Sequence, residues 1–93
     1  MLQNKNAIVF GAGGSLGGAI AEAFAAAGAK VFLTGRTLEP LQIMAKKIRA
    51  SGGMAEIGKL DALNENEVTA YTNMIVQQAG TLDISFNLIG RNN

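Results

Sequence analysis

The chain has 93 residues, of which 48% are hydrophobic, and a formal net charge of +1. This length suits one domain, the hydrophobic fraction excludes a disordered chain, and the small net charge predicts no nucleic-acid or membrane partner. The chain contains no Cys and no His. This excludes disulfides, a zinc site and a Ser-His-Asp triad built from this chain alone, predicts no metal site, and favours a cytoplasmic location.

The first element is a near-continuous apolar run that predicts a strand over residues 5–10, buried on both faces. A glycine-rich loop follows, and then a helix over residues 15–27. The first N–H groups of such a helix favour phosphate, and glycine lets a ligand approach the backbone closely. An ordinary glycine-rich turn is the alternative. Helical spacing predicts an inward apolar stripe on this helix of Leu16, Ala19, Ile20, Ala23, Phe24 and Ala27.

The next elements repeat this alternation of strand and helix. A strand is expected over residues 30–34, and a second helix follows with Thr37 as its cap and Gly52 and Gly53 at its end. A weaker third strand is expected over residues 54–60. The inward stripe of the second helix is predicted to be Leu41, Met44, Ala45 and Ile48.

A third helix and a fourth strand complete the pattern. Asn64 followed by Glu67 resembles a capping box at the start of this helix, and Gly80 closes it. Its stripe is predicted to be Val68, Tyr71, Thr72, Ile75 and Ala79, and the fourth strand is expected over residues 82–88. The order β-α-β-α-β-α-β predicts an α/β, Rossmann-type doubly wound parallel sheet, first half, with strand order 3-2-1-4. Ligands of such sheets bind where the strand order reverses, beside the glycine loop.

Four stretches together resemble the short-chain dehydrogenase/reductase family. The family opens with Thr-Gly-x-x-x-Gly-x-Gly, and here Gly11 and Gly17 match, while Phe10 replaces the Thr and Ser15 the middle glycine. Phe10 lacks the hydroxyl that would tie the loop to the sheet. The resemblance implies that the loop binds a dinucleotide through Gly11, Gly13, Gly14, Ser15, Leu16 and Gly17.

The second and third stretches bear on which cofactor is bound. The family places an acidic residue after strand two for NAD(H), whereas a basic residue such as Arg36 implies that NADP(H) is preferred over NAD(H). Thr37 would add a hydroxyl. Alternatively, Arg36 is a solvated turn residue. Asp61 resembles the family's acceptor for the adenine amino group, and a turn or capping aspartate is an equal alternative.

The fourth stretch, residues 82–90, resembles the family's Leu-Asp-x-x-x-Asn-Asn-Ala-Gly. Asn87 and Gly90 match, and the resemblance implies that they line the adenosine side of the site. Asn87 is expected to be buried and to brace the central sheet through hydrogen bonds. Apolar residues on strand four leave an edge without a partner, which predicts that the chain associates through this strand as a homo-oligomer, or exists only as the ordered part of a longer polypeptide.

The family resemblance implies that residues 1–93 are an NAD(P)-binding Rossmann domain, truncated before the catalytic half. On this hypothesis the chain is the N-terminal part of an NADP(H)-dependent short-chain oxidoreductase, which transfers hydride between nicotinamide and a carbonyl or alcohol substrate. The family's Tyr-x-x-x-Lys is absent: Ile75 stands four residues after Tyr71, which is interpreted as a packing residue. No catalytic residue is therefore expected in this chain. The alternatives are a non-catalytic nucleotide-binding or redox-sensing module, and a non-binding half-domain that serves as an interaction partner.

Overall fold

The structure, a computed structural model, describes residues 1–87. Four strands alternate with three helices in the expected order. Their bounds are β1 Asn6–Phe10, α1 Ser15–Ala26, β2 Lys30–Gly35, α2 Leu38–Ala50, β3 Met54–Lys59, α3 Glu65–Ala79 and β4 Ile84–Asn87. Within this part of the chain, no helix combines the length and the apolar character needed to cross a bilayer.

The strands form one parallel sheet in the order β3-β2-β1-β4, which confirms the predicted fold class and strand order. All residues of β1 are buried. Because side chains alternate along a strand, these buried side chains lie on both faces of the sheet. Ala7 and Val9 belong to the core on the side of α1 and α2, whereas Ile8 and Phe10 belong to the core on the side of α3. The central strand therefore joins two separate cores.

The buried face of α1 differs from the predicted stripe. Its buried residues are Gly17, Gly18 and Ala21, whereas Leu16 is 63% exposed. The predicted stripe was wrong at Leu16, Ala19 and Ala23, which are exposed, whereas Ile20, Phe24 and Ala27 are half-buried. At Gly17 this helix lies so close to the backbone of the loop that a Cβ does not fit, and at Gly18 it packs against the Met44 side chain of α2. On α2 and α3, in contrast, every residue of the predicted stripes is buried or half-buried.

The start of α3 shows half of the predicted capping box. The Asn64 side chain accepts a hydrogen bond from the Glu67 N–H at 3.1 Å. The Glu67 carboxylate, however, accepts from the backbone N–H of Asp61 at 2.8 Å, three residues before the position that a capping box would use. The Glu67 carboxylate therefore stabilises the loop that leads into α3.

Strand β4 begins at Ile84, two residues later than predicted, because a side chain replaces its first backbone contact. The Asp83 carboxylate accepts from the backbone N–H of Asn6 at 2.8 Å and from the Thr81 hydroxyl at 3.0 Å. The Asp83 N–H in turn donates to the Asn6 carbonyl at 2.9 Å. This cluster, the Asp83 clasp, holds β4 against β1. The predicted end of the strand, Leu88, lies outside the described residues.

The Asp83 clasp makes stability depend on pH. The hydrogen bond from the Asn6 backbone is the main cause that lowers the pKa of Asp83. Because the pKa is lower in the folded chain than in the unfolded chain, the contribution is fully present above the ordinary Asp pKa. It is lost as the pH falls through the folded-state value. We expect Asp83→Asn to lower Tm by a few degrees at pH 7, and the difference from wild type to shrink below about pH 4.

The measurement is thermal unfolding followed by circular dichroism between pH 7 and pH 2.5. Glu56→Gln is the matched control, since the Glu56 side chain is exposed on β3, away from any helix end, and makes no hydrogen bond or ion pair within residues 1–87. This control should stay close to wild type at pH 7. A Tm difference between Asp83→Asn and wild type that is the same at every pH would contradict the assignment to the Asp83 charge.

Candidate functional site

The carboxyl ends of the four strands meet at one edge of the sheet. The register places Phe10 of β1 between Thr34 of β2 and Asn87 of β4, and Gly35 beside Lys59 of β3. The glycine loop leaves β1 at this edge and turns into α1. Residues that follow each strand are therefore brought close to the start of that helix, as in other open α/β sheets.

The loop turns sharply at Gly11, whose φ of 84° lies in the left-handed region that favours glycine. Its N–H and that of Ala12 both donate to the Thr34 carbonyl at 3.0 Å. The Gly11 carbonyl accepts from the Gly14 N–H at 3.2 Å. The loop is thus fastened to β2 on one side and to itself on the other.

Gly17 allows α1 to pack directly on this turn. A Cβ at position 17 would lie 2.2 Å from the Gly11 carbonyl oxygen, 2.9 Å from the Gly11 carbonyl carbon and 3.0 Å from Ala12 Cα. All three are backbone atoms that a rotamer change cannot move. Gly17 is therefore required for the shape of the loop, since no other residue fits there.

The N-terminus of α1 has neither a side-chain cap nor an acidic residue to balance its partial positive charge. Gly14 occupies the cap position and makes no side-chain hydrogen bond, and the first turn contains no acidic residue. The N–H groups of the first helical turn have no intrahelical acceptor, and the helix dipole adds partial positive charge there. In contrast, α3 has the Asn64 cap and two glutamates in its first turn. Of these two helix ends, only that of α1 is left for an anion.

A cavity of about 270 Å³, the loop cavity, opens in front of this turn. It combines residues from the ends of three successive strands, and it brings together six of the predicted site residues: Gly11, Gly13, Gly14, Arg36, Thr37 and Asp61. Its other lining residues are Thr34, Gly35, Pro40, Leu60, Ala62 and Leu63. The predicted residues on three separate loops therefore share one cavity.

Arg36 supplies positive charge to the loop cavity. It is exposed, directly follows β2, and makes no hydrogen bond or ion pair to any residue of the described part of the chain. Thr37 is the N-cap residue of α2, but its hydroxyl makes no capping hydrogen bond. A guanidinium and a hydroxyl without partners at a cavity rim suit a phosphate group.

Asp61 has a structural role that is visible in the structure. Its Oδ1 accepts from the Leu63 N–H at 2.9 Å, and its carbonyl accepts from the Asn64 N–H at 2.9 Å. These bonds form the turn that leads into α3, which was one of the two predicted roles. Asp61 also lines the loop cavity, so its carboxylate lies where it can meet a ligand.

A second cavity of about 740 Å³, the β3–α3 cavity, adjoins the first and shares Arg36, Leu60 and Asp61 with it. Lys59 and Tyr71 line it as well. Tyr71 packs over Gly58 and meets the Phe32 ring edge-on at 6.4 Å, as its predicted packing role requires. Burial, aided by the Glu56 charge, raises the pKa of Tyr71 to about 12, so the phenol is neutral at pH 7.

Four further predicted residues, Ser15, Leu16, Gly17 and Asn87, do not line either cavity. Ser15 and Leu16 are exposed in the first turn of α1, and Gly17 is buried beneath the loop. Asn87 is exposed, so the prediction that it is buried was wrong: β4 is the edge strand of the sheet. It lies beside Phe10 in the register. Gly90 lies outside the described residues.

Sequence reasoning missed Thr34, Lys59 and the apolar walls of both cavities. Thr34 and Lys59 are polar residues at the ends of β2 and β3. A polar residue at the end of a strand is the one sequence signal that could have found them. Their importance depends on strand order, because only adjacent parallel strands bring their ends to one cavity.

Comparison with solved structures supports the fold. A metagenomic short-chain oxidoreductase in complex with NADP superposes with a TM-score of 0.87 at 32% identity, over 90% of this chain and 38% of that one. An actinorhodin polyketide ketoreductase variant with NADPH gives a TM-score of 0.87 at 28% identity, over 100% of this chain and 36% of that one.

Comparison of sequences gives the same relationship. An uncharacterized oxidoreductase of Bacillus subtilis, YxbG, is 39% identical over 89 residues, which are 96% of this chain and 33% of that protein. The chain therefore spans about a third of the length of the curated relative. The sequence model of the family described as short chain dehydrogenase matches residues 5–93. The chain belongs to the short-chain dehydrogenase family.

Proposed function

We propose that this chain is the dinucleotide-binding part of a short-chain oxidoreductase that uses NADP(H) in preference to NAD(H). One observation carries the proposal: Arg36, which makes no hydrogen bond or ion pair within residues 1–87, lines the same cavity as the glycine loop that opens α1. A helix N-terminus without a cap suits a pyrophosphate, and a guanidinium nearby suits a 2′-phosphate. NADP and NADPH are the cofactors named for two of the similar structures.

The proposed site divides into three contacts. The N–H groups of Gly13, Ser15 and Leu16 bind the pyrophosphate, on a surface that Gly11, Gly14 and Gly17 shape. Arg36 and Thr37 bind the 2′-phosphate. Asp61, Asn87 and Gly90 contact the adenosine.

The role proposed for this chain is to bind and orient the cofactor. Hydride transfer to a carbonyl, or from an alcohol, is the chemistry that the nicotinamide supplies when it is bound. We assign no catalytic residue to the chain, because Tyr71 packs on β3 and Ile75 is buried in the α3-side core. The catalytic groups, the substrate, a homo-oligomeric assembly and a cytoplasmic location belong to the proposal for the whole oxidoreductase.

The sharpest test places a negative charge where the pyrophosphate is proposed to bind. Ser15 is the first residue of α1 and is exposed, so Ser15→Asp sets a carboxylate against the helix N-terminus. That carboxylate interacts favourably with the helix dipole and should stabilise the fold by about 0.3–1 kcal/mol. It also repels the pyrophosphate, so we expect the Kd for NADPH to rise at least about tenfold, about 1.4 kcal/mol.

Titration calorimetry gives the Kd for NADPH, and thermal unfolding of the same samples gives the change in stability. Ser15→Asn is the matched control, since it keeps the size of Asp without its charge and should bind NADPH close to wild type. If Ser15→Asp is more stable than wild type and binds NADPH more weakly, misfolding cannot be the cause of the weaker binding. Unchanged NADPH binding by Ser15→Asp, or no NADPH binding by the wild-type chain, would refute the proposed site.

A further inference from the structure

We propose that Thr34 is the positioning residue that holds the glycine loop in its binding shape, an inference that rests on the proposed function. Thr34 is fully buried at the end of β2, opposite Phe10 of β1. Its hydroxyl donates to the Val9 carbonyl at 3.0 Å. Its carbonyl accepts from the N–H groups of Gly11 and Ala12, both at 3.0 Å.

These three bonds decide which N–H groups of the loop are left for a ligand. Those of Gly11 and Ala12 are directed at Thr34, and that of Gly14 is directed at the Gly11 carbonyl. The N–H groups of Gly13, Ser15 and Leu16 donate to no backbone acceptor within residues 1–87, so they are left for a ligand. If the Thr34 carbonyl shifted, Gly11 would be released, and the close packing of Gly17 on Gly11 would be lost with it.

The hydroxyl matters because β1 does not supply one. The side chain of Phe10 packs into the α3-side core with Ile8 and Phe32, so it takes no part in fastening the loop. The Thr34 hydroxyl ties the end of β2 to the end of β1, which fixes the carbonyl that holds the loop. A buried hydroxyl must have a partner, and here that partner lies on the neighbouring strand.

The test compares Thr34→Val, which keeps the shape and removes the hydroxyl, with Thr34→Ser, which keeps the hydroxyl. Amide hydrogen exchange is measured by NMR on the 93-residue chain without cofactor, with Val31 and Leu33 of β2 as internal references. The Gly11 and Ala12 amides should be protected in wild type. Loss of one hydrogen bond should speed their exchange about three- to tenfold in Thr34→Val, and Thr34→Ser should restore it.

Calorimetry with NADPH is the second readout. Thr34→Val should weaken binding about three- to tenfold, and Thr34→Ser should bind nearly as wild type does. Unprotected Gly11 and Ala12 amides in wild type would overturn the role of Thr34 even if Thr34→Val fails to fold. Equal exchange in wild type and Thr34→Val would overturn it as well. If exchange follows the expected pattern but no chain binds NADPH, the proposed function fails while the role of Thr34 in the loop stands.

Discussion

Replacing Gly17 with alanine is expected to destabilise the chain by about 3 kcal/mol, through a clash that no side-chain movement relieves. The new Cβ would meet the Gly11 carbonyl oxygen at 2.2 Å, so either the loop or the whole of α1 must move. Alanine favours a helix over glycine by about 1 kcal/mol, which is too little to compensate. For a domain of this size the loss corresponds to a fall in Tm of about 12–24 °C.

Gly14→Ala is the matched control for this prediction. A Cβ at position 14 would lie 3.8 Å from the same Gly11 oxygen, an ordinary contact, and the φ of −85° suits alanine. We expect its stability to stay within about 1 kcal/mol of wild type, the small loss being that of a weaker cap residue. Thermal and urea unfolding of both variants provide the comparison. Equal stability of Gly17→Ala and Gly14→Ala would show that the loop yields easily.

Replacing Arg36 with alanine is expected to remove the preference for NADP(H). Under the proposed function its guanidinium makes a charge-assisted contact to the 2′-phosphate, and such a contact contributes about 1.5–3 kcal/mol. The Kd for NADPH should therefore rise by about tenfold or more, while that for NADH changes little. Arg36→Asp should go further, because its carboxylate repels the phosphate and accepts from the ribose hydroxyls of NADH.

Calorimetric titration of each variant with both cofactors measures this selectivity. Lys46→Ala is the control, since it removes one positive charge from an exposed position on α2 away from both cavities. It should leave both affinities close to wild type, which separates a specific contact from the loss of overall charge. Equal affinity of wild type and Arg36→Ala for NADPH would mean that Arg36 is only a solvated turn residue.

The order of elements was predictable because two periodicities alternate cleanly along the chain. Continuous apolar runs marked β1 and β2, and the stripes of α2 and α3 have the helical period. The loop cavity could be predicted as well, since parallel strands bring their carboxyl ends to one edge. The family resemblance assigned Gly11, Arg36 and Asp61 to one site, and the structure brings these three residues, which lie far apart in the sequence, to the lining of one cavity.

The failures have a common physical cause, which is that burial depends on neighbours the local sequence does not name. On α1, hydrophobicity pointed to Leu16, but the close approach of Gly11 requires Gly17 on the buried face, and the Met44 side chain of α2 lies against Gly18. Asn87 was expected to be buried, but its exposure depends on what covers β4. The role of Thr34 was not visible because its hydroxyl partner, Val9, lies 25 residues away.

The two cores on either side of the sheet are unequal in a way that bears on local unfolding. Helix α2 buries Leu41, Ala45 and Ile48, whereas α3, although longer, buries only Ile75 among its residues. A helix with little buried apolar area opens at a lower free energy than the rest of its domain. We therefore expect α3 to open as a unit while the sheet keeps its packing on α1 and α2. Since Glu67 of α3 holds the Asp61 backbone, one wall of the proposed site would open together with α3, and a ligand bound there would make this opening rarer.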